Sequence, residues 1–300
     1  MGGNINATWN TSYGQTALGT VSTGGVVTAT QWASLNNTLN SIGSHQATAL
    51  TSRTSPVAGN TIAVLSNLGT DITSCYTNRF NAYASGTQYT AWTGTSSKDS
   101  ATGSGAASWT ITFTHTVTFA NATAATNFFN SGGLLKIQYN KSSTGTDADS
   151  EWNNLATNVV GQVFFSVDGA SKDIAGASYL GTKVVGGAGT PTTVATATGY
   201  NQLTGTPVII YKQLDNTYSY TSNFIQTSAS VSGAVITLTT VWFDSGDPTP
   251  FGSTNNISGG TATTGITFGT APATVVTYLP PETVYLTNTW GTPTIAASVA

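Results

Sequence analysis

Eight Lys and Arg and 11 Asp and Glu among 300 residues leave 6% of the chain charged, with a net charge of −3, where an ordinary soluble domain is about 25% charged. So little charge cannot steer nucleic acid or an anionic membrane. Cys75, the single cysteine, excludes an intrachain disulfide and a thiolate metal cluster, and no run reaches the ~18 apolar residues of a membrane helix.

The chain opens Met1-Gly2-Gly3-Asn4-Ile5-Asn6, without the basic and apolar regions of a secretory signal, so synthesis in the cytoplasm is expected. Residues 1–27 are rich in Gly, Thr and Asn and lack a period, which predicts an extended arm or ordered loop. A helix is predicted over 28–45, capped by Thr28 or Thr30, with Trp32, Leu35, Leu39 and Ile42 on one face. A second is predicted from about Asn60 to Ala82, interrupted at Gly69. The Ser/Thr/Gly-rich stretch 84–107 predicts a linker or long loop.

The period then changes from 3.6 to 2. Trp109, Ile111, Phe113, His115, Val117 and Phe119 alternate with Thr110, Thr112, Thr114, Thr116 and Thr118. That pattern predicts a long half-buried strand with an aromatic inner face and a Thr outer face. A short helix over 121–130, stopped by Gly132-Gly133, and a strand over 134–139 follow. Asp149 or Ser150 can cap a helix carrying Trp152, Leu155, Val159 and Val163. Further strands are predicted at 208–211, 223–227, 235–243, 266–268, 275–279 and 283–287, separated by turn residues. The expected fold is mainly β, an antiparallel sandwich or jelly-roll-like body over 106–300, with a small N-terminal α-helical region over 1–105 serving docking and assembly.

Chemistry-bearing patterns are sparse. Asp147, Asp149 and Glu151 alternate and could face one hard cation, but the downstream Gly and Glu of a calcium loop are missing; acidic capping of a helix N-terminus accounts for them. Asp244 and Asp247 bracket a turn. His45 and His115 are too far apart in sequence for a zinc motif. His115 lies on the aromatic face and reads as a core histidine, and His45 ends a helix. No nucleophile elbow or phosphate loop occurs. The expectation is therefore a protein without catalytic residues, metal or cofactor. Tyr211, Tyr218 and Tyr220 are the candidates for a glycan-binding platform, with strand packing as the alternative. Nothing selects a carboxylate pair for a glycoside hydrolase.

Several stretches carry a resemblance: Tyr13-Gly14-Gln15-Thr16; Thr28-Ala29-Thr30-Gln31-Trp32 continuing to Leu39, Ile42 and His45-Gln46; Phe128-Phe129-Asn130-Ser131-Gly132-Gly133-Leu134-Leu135; Trp152-Asn153-Asn154-Leu155; and Tyr278-Leu279-Pro280-Pro281. They resemble virion structural proteins of tailed bacteriophages, especially contractile-tailed phages of cyanobacteria and other aquatic bacteria. The resemblance implies a tail, baseplate, fibre or head-decoration component that assembles with copies of itself and other virion proteins. It also implies synthesis in a host bacterial cytoplasm, release by lysis and residence in the virion; the charge and hydropathy of the chain add the expectation of no nucleic-acid binding and no membrane insertion. The alternative it leaves is a receptor-binding fibre or adhesin that contacts a host surface glycan.

Overall fold

The structure, a computed structural model, describes residues 2–59, 66–82, 90–91, 96–97, 100–101, 109–142, 147–167, 172–174, 177–179, 181–215, 222–245, 266–267 and 271–300. The chain starts helical where an extended arm or ordered loop was expected: α1 (Gly2–Asn6) runs into a π-helical turn (Ala7–Ser12). Tertiary packing explains the difference, because Ile5 and Tyr13 are buried in the core and no local period is needed to order them. The extended arm is confined to the residues that follow. Helix α2 (Ala29–Gln46) begins as expected, with Thr28 and Gln31 closing a reciprocal capping box. Helix α3 (Leu68–Thr77) ends before Ala82 and Gly69 lies in its first turn; residues 60–65 of the predicted helix lie outside the described residues.

Three short strands follow within the stretch expected as linker: β1 (Thr90–Ala91), β2 (Ser96–Ser97) and β3 (Ser100–Ala101). Next come β4 (Trp109–Thr118), α4 (Ala122–Asn130) and β5 (Leu134–Asn140). The Asn121 side chain caps α4 by accepting from the Ala124 N–H at 2.8 Å, and Gly132, at φ +98, ends it. Helix α5 (Asp147–Asn154) passes into a second π-helical turn (Leu155–Val159). It stops at Gly161, where φ is +68 and a Cβ would meet the Gly186 carbonyl. Val163, expected on that helix, therefore belongs to β6 (Gln162–Phe165).

The remaining strands are β7 (Lys172–Ile174), β8 (Ala177–Tyr179), β9 (Thr182–Val185), β10 (Thr193–Val194), β11 (Val208–Leu214), β12 (Phe224–Ser232), β13 (Val235–Asp244), β14 (Ile266–Thr267), β15 (Ala273–Leu279) and β16 (Thr294–Val299). Residues 283–287 form no strand, contrary to the sequence pattern. The Gln15 side chain substitutes for a neighbouring strand there, donating to the Thr287 carbonyl and accepting from its N–H, both at 2.9 Å.

Two six-stranded antiparallel sheets form a sandwich, one ordered β10-β11-β12-β13-β4-β16 and the other β1-β15-β5-β6-β9 with β2 also on β15. The fold is mainly β with a small N-terminal helical part, as its periodicity predicts. In β4 the alternation holds along the strand: every aromatic or aliphatic residue is buried and every Thr is exposed or half-buried. Its pairing with β13 runs unbroken from Val235↔Thr118 to Asp244↔Trp109. Between the sheets, Trp242 Nε1 donates to Thr274 Oγ1 at 3.1 Å, and the Tyr139 hydroxyl reaches Thr227 Oγ1 at 2.8 Å. His115 is fully buried on this inner face, and burial pushes its pKa down to about 4, so it stays neutral. Ile5, Leu39 and Ile72 from the helical part share one core with Trp109, Phe113 and Trp242. The boundary expected near residue 105 lies outside the described residues.

Candidate functional site

The predicted assembly face of α2 divides in two. Leu39 and Ile42 are 1% and 0% exposed; they anchor the helix in the protein's own core and are not free to meet a partner. Trp32 and Leu35, two turns and one turn before Leu39, are only partly buried. They line a groove of ≈ 900 Å³ together with Trp9 of the π-helical turn, Leu18 and Val27. The arm is held in place by Asn6, whose side chain donates to the Leu18 carbonyl at 3.1 Å and accepts from its N–H at 2.9 Å. Every residue lining the groove is uncharged. Beside it, Val21, Val26 and Val27 are 39%, 83% and 44% exposed.

The acidic candidates lead to a different arrangement. Asp147 and Asp149 lie on α5, in the region where acidic residues complement the helix dipole; their side chains lie outside the described residues. Glu151, one turn on, is buried at the rim of the sandwich. Strands β11 and β13 run in the same direction, so Asp215, just past β11, and Asp244, closing β13, reach one rim. Asn223, at the start of the intervening strand, lies between them. Its Nδ2 donates to Glu151 Oε1 at 3.1 Å, while Trp152 Nε1 donates to Asp244 Oδ2 at 3.2 Å. Glu151, Asp215 and Asp244 are 1%, 2% and 0% exposed. Burial pushes the Glu151 pKa up to about 10, reinforced by its hydrogen bond to Asp215 and by the charges of Asp215 and Asp244. At neutral pH Glu151 is therefore a carboxylic acid that donates to Asp215.

This pocket shares a proton and is closed to solvent. Among the described residues, no three His, Cys, Asp or Glu are arranged to hold a metal ion. Sequence reading placed Asp244 in a turn and gave Asp215 no role. The signal that finds Asp244 is the period of β13, which sets it on the same inward face as Trp242. Asp215 and Asn223 join the pocket through strand pairing, which no local pattern encodes.

Tyr211 is fully buried in β11. Its hydroxyl donates to the Val160 carbonyl at 3.0 Å and its ring stacks at 6.0 Å on Tyr139. It packs the core and presents no exposed face to a sugar. Tyr218 and Tyr220 lie outside the described residues, as does Asp247.

Two pairs of opposite charge lie in the helical part. His45 Nδ1 is 2.8 Å from Glu282 Oε1, and its Nε2 is 3.1 Å from the Ser131 carbonyl. The carbonyl only accepts, so a doubly protonated ring satisfies both partners. The Tyr13 ring meets the imidazole edge-on at 5.3 Å. Arg53 pairs with Asp71, which also accepts from the Thr51 N–H at 3.0 Å. Burial alone would raise the Asp71 pKa; the Arg53 and Thr51 hydrogen bonds override it and hold the carboxyl below its usual range. Cys75 is buried at 1% exposure and its thiol is pushed up to about 12, chiefly by burial, which leaves it inert. No helix among the described residues is long and apolar enough to cross a membrane. No family model matches the chain, and no curated protein or solved structure matches it.

Proposed function

We propose that the chain is a non-enzymatic structural component of a tailed-phage virion, acting by assembly with copies of itself and with neighbouring virion proteins. The observation that carries this reading is the uncharged groove of Trp9, Leu18, Trp32 and Leu35, flanked by exposed Val21, Val26 and Val27. A freely diffusing protein does not gain from leaving two tryptophans and a run of valines at its surface; a protein covered by neighbours does. The scarcity of charge supports the same reading, because surface charge is what keeps soluble monomers apart. The sequence resemblance supplies the setting.

The test is to locate the chain in purified particles by mass spectrometry and cryo-electron microscopy, and to repeat this with Trp32→Ala. The expected result is a multi-copy symmetric position in the virion, with incorporation of the variant reduced although it folds normally. A chain absent from purified virions and monomeric at all concentrations would overturn the proposal.

A further inference from the structure

The backbone of β16 offers a second, independent surface. A strand at the edge of a sheet exposes unpaired N–H and C=O groups, and natural proteins blunt such edges with short strands, Lys, Pro, bulges or a covering segment. Most edges of this sandwich are treated in one of these ways. β10 is two residues long. β9 carries Lys183 and is covered by the segment 195–198, whose Ala195 and Thr198 carbonyls accept bonds from Thr182. β1 and β2 have two residues each.

Among the described residues β16 has none of these protections; β2 lies against it but is two residues long and pairs with β15 of the facing sheet. It has six residues, Thr294–Val299, without charge or proline, and pairs with β4 in continuous register from Thr294↔Thr118 to Val299↔Phe113 without a bulge. Thr294, Ala296, Ala297 and Ser298 are exposed. The direction of its free groups follows from one contact. Ala300 and Thr112 exchange two backbone hydrogen bonds, both 2.9 Å, so Ala300 faces β4. Antiparallel pairs alternate, so Ser298, Ala296 and Thr294 also face β4. Ile295, Ala297 and Val299 therefore direct their N–H and C=O groups away from the sheet.

We infer that this edge is a strand-pairing interface, and that its occupant is β16 of a second copy of this chain, antiparallel across a twofold axis at Ala297. Alternating free donors and acceptors at strand spacing are matched by another extended backbone. A second copy is the favoured partner because the surface is self-complementary. With Ala297 opposite the partner's Ala297, and Ile295 opposite the partner's Val299, every outward group on both strands is bonded. Self-pairing places each residue against its own kind, so a charged edge would repel itself. From Gly291 to Ala300 there is no charged side chain, and the adjacent β4 residues Thr114, Thr116 and Thr118 are neutral too. The product is one sheet continuous through two copies.

The inference sharpens the assembly reading but its test is independent of the virion. Light scattering and sedimentation of the purified full-length chain should show a concentration-dependent dimer. Ala297→Pro removes an outward N–H and leaves the ladder to β4 intact; it is expected to weaken the dimer by about tenfold or more with unchanged circular dichroism. Should that variant misfold, Ala296→Lys with Ser298→Lys sets like charges opposite one another in the proposed register. It should be monomeric alone and form a mixed dimer with a chain carrying Ala296→Glu and Ser298→Glu. A wild-type chain that stays monomeric at every accessible concentration, or a dimer that survives both sets of changes, overturns the inference. Neither result bears on incorporation into particles, which is the test of the assembly reading.

Discussion

Two regions of this molecule bury charge, and they do so by opposite means. In the helical part, His45 meets Glu282 and Arg53 meets Asp71: unlike charges, each pair satisfied by neighbouring backbone groups. At the rim of the sandwich, Glu151, Asp215 and Asp244 are like groups, reconciled by a proton held on Glu151 and by donors from Asn223 and Trp152. The difference teaches where a chain with so few charges has placed them. Seven of its ionisable side chains lie in these two arrangements: His45, Arg53, Asp71, Glu151, Asp215, Asp244 and Glu282. Coulomb attraction fastens the loop around Glu282 and the Arg53 segment to the helices. Hydrogen bonding between acids closes the end of the sheets.

The comparison breaks most severely if the His45–Glu282 pair is cut on one side. Glu282→Leu takes away the partner of the buried His45 Nδ1, and a loss at the upper end of about 1–3 kcal/mol is expected in denaturant titrations. His45→Leu combined with Glu282→Leu removes both charges, and the double variant should recover part of that loss. Equal losses in single and double variants would show that packing of the loop, and not the charge pair, fastens it. Next in size is Asp71→Asn, which weakens the bonds from Arg53 and the Thr51 N–H; about 1–3 kcal/mol is expected. That contribution should also fade in acid, because the folded-state pKa of Asp71 is lowered: its stabilisation is present above the usual carboxylate pKa and is lost as pH falls through the lower folded value.

The rim should respond to pH in the opposite sense. Unfolded, Glu151 releases its proton near 4.5; folded, it keeps it up to about 10. Above 4.5 the folded state therefore binds more protons, and stability falls as pH rises, by up to about 1.4 kcal/mol per pH unit. His115 contributes an opposing slope only below its ordinary 6.5, since the folded ring resists protonation down to about 4. Above pH 6.5 His115 no longer contributes, and comparing the chain with a Glu151 variant cancels the groups that both carry. Glu151→Gln, a neutral residue of the same shape, should flatten the decline in unfolding free energy between pH 7 and pH 9. An unchanged slope in the variant would mean that another group holds the proton.

These arrangements also mark what the sequence made legible. The alternation from Trp109 to Thr118 appeared as β4 almost residue for residue, because a strand with one covered face writes its environment into a period of two. The cap of α2 was readable as far as Thr28 or Thr30, since capping is local; the structure selects Thr28 and adds Gln31 as its reciprocal partner. Helix α1 was not, because Ile5 gains its burial from distant residues. The predicted assembly face fails at Leu39 and Ile42 for a related reason: periodicity shows that Trp32, Leu35, Leu39 and Ile42 share a face but not where along the helix the protein's own core ends. The rim pocket was hidden more deeply. Asp215, Asn223 and Asp244 meet only through the β11-β12-β13 meander, and Glu151 arrives from another element altogether.

The smallest effect sharpens the comparison from outside. If ionisable groups serve the fold only in the interior, then adding one to the neutral outer face of the sheet should leave stability nearly untouched. Thr239 is half-buried on that face and pairs with Thr114 of β4. A lysine there can extend its ammonium into water while its stem lies along the neighbouring side chains. Thr239→Lys should therefore shift the unfolding free energy by no more than about 0.5 kcal/mol, in either direction. A loss of several times that size in the isolated chain would show that the Thr face is itself packed in the folded monomer. The absence of charge there would then belong to folding. A negligible loss assigns it to what the surface touches, because neither the interior pairs nor the rim acids depend on it.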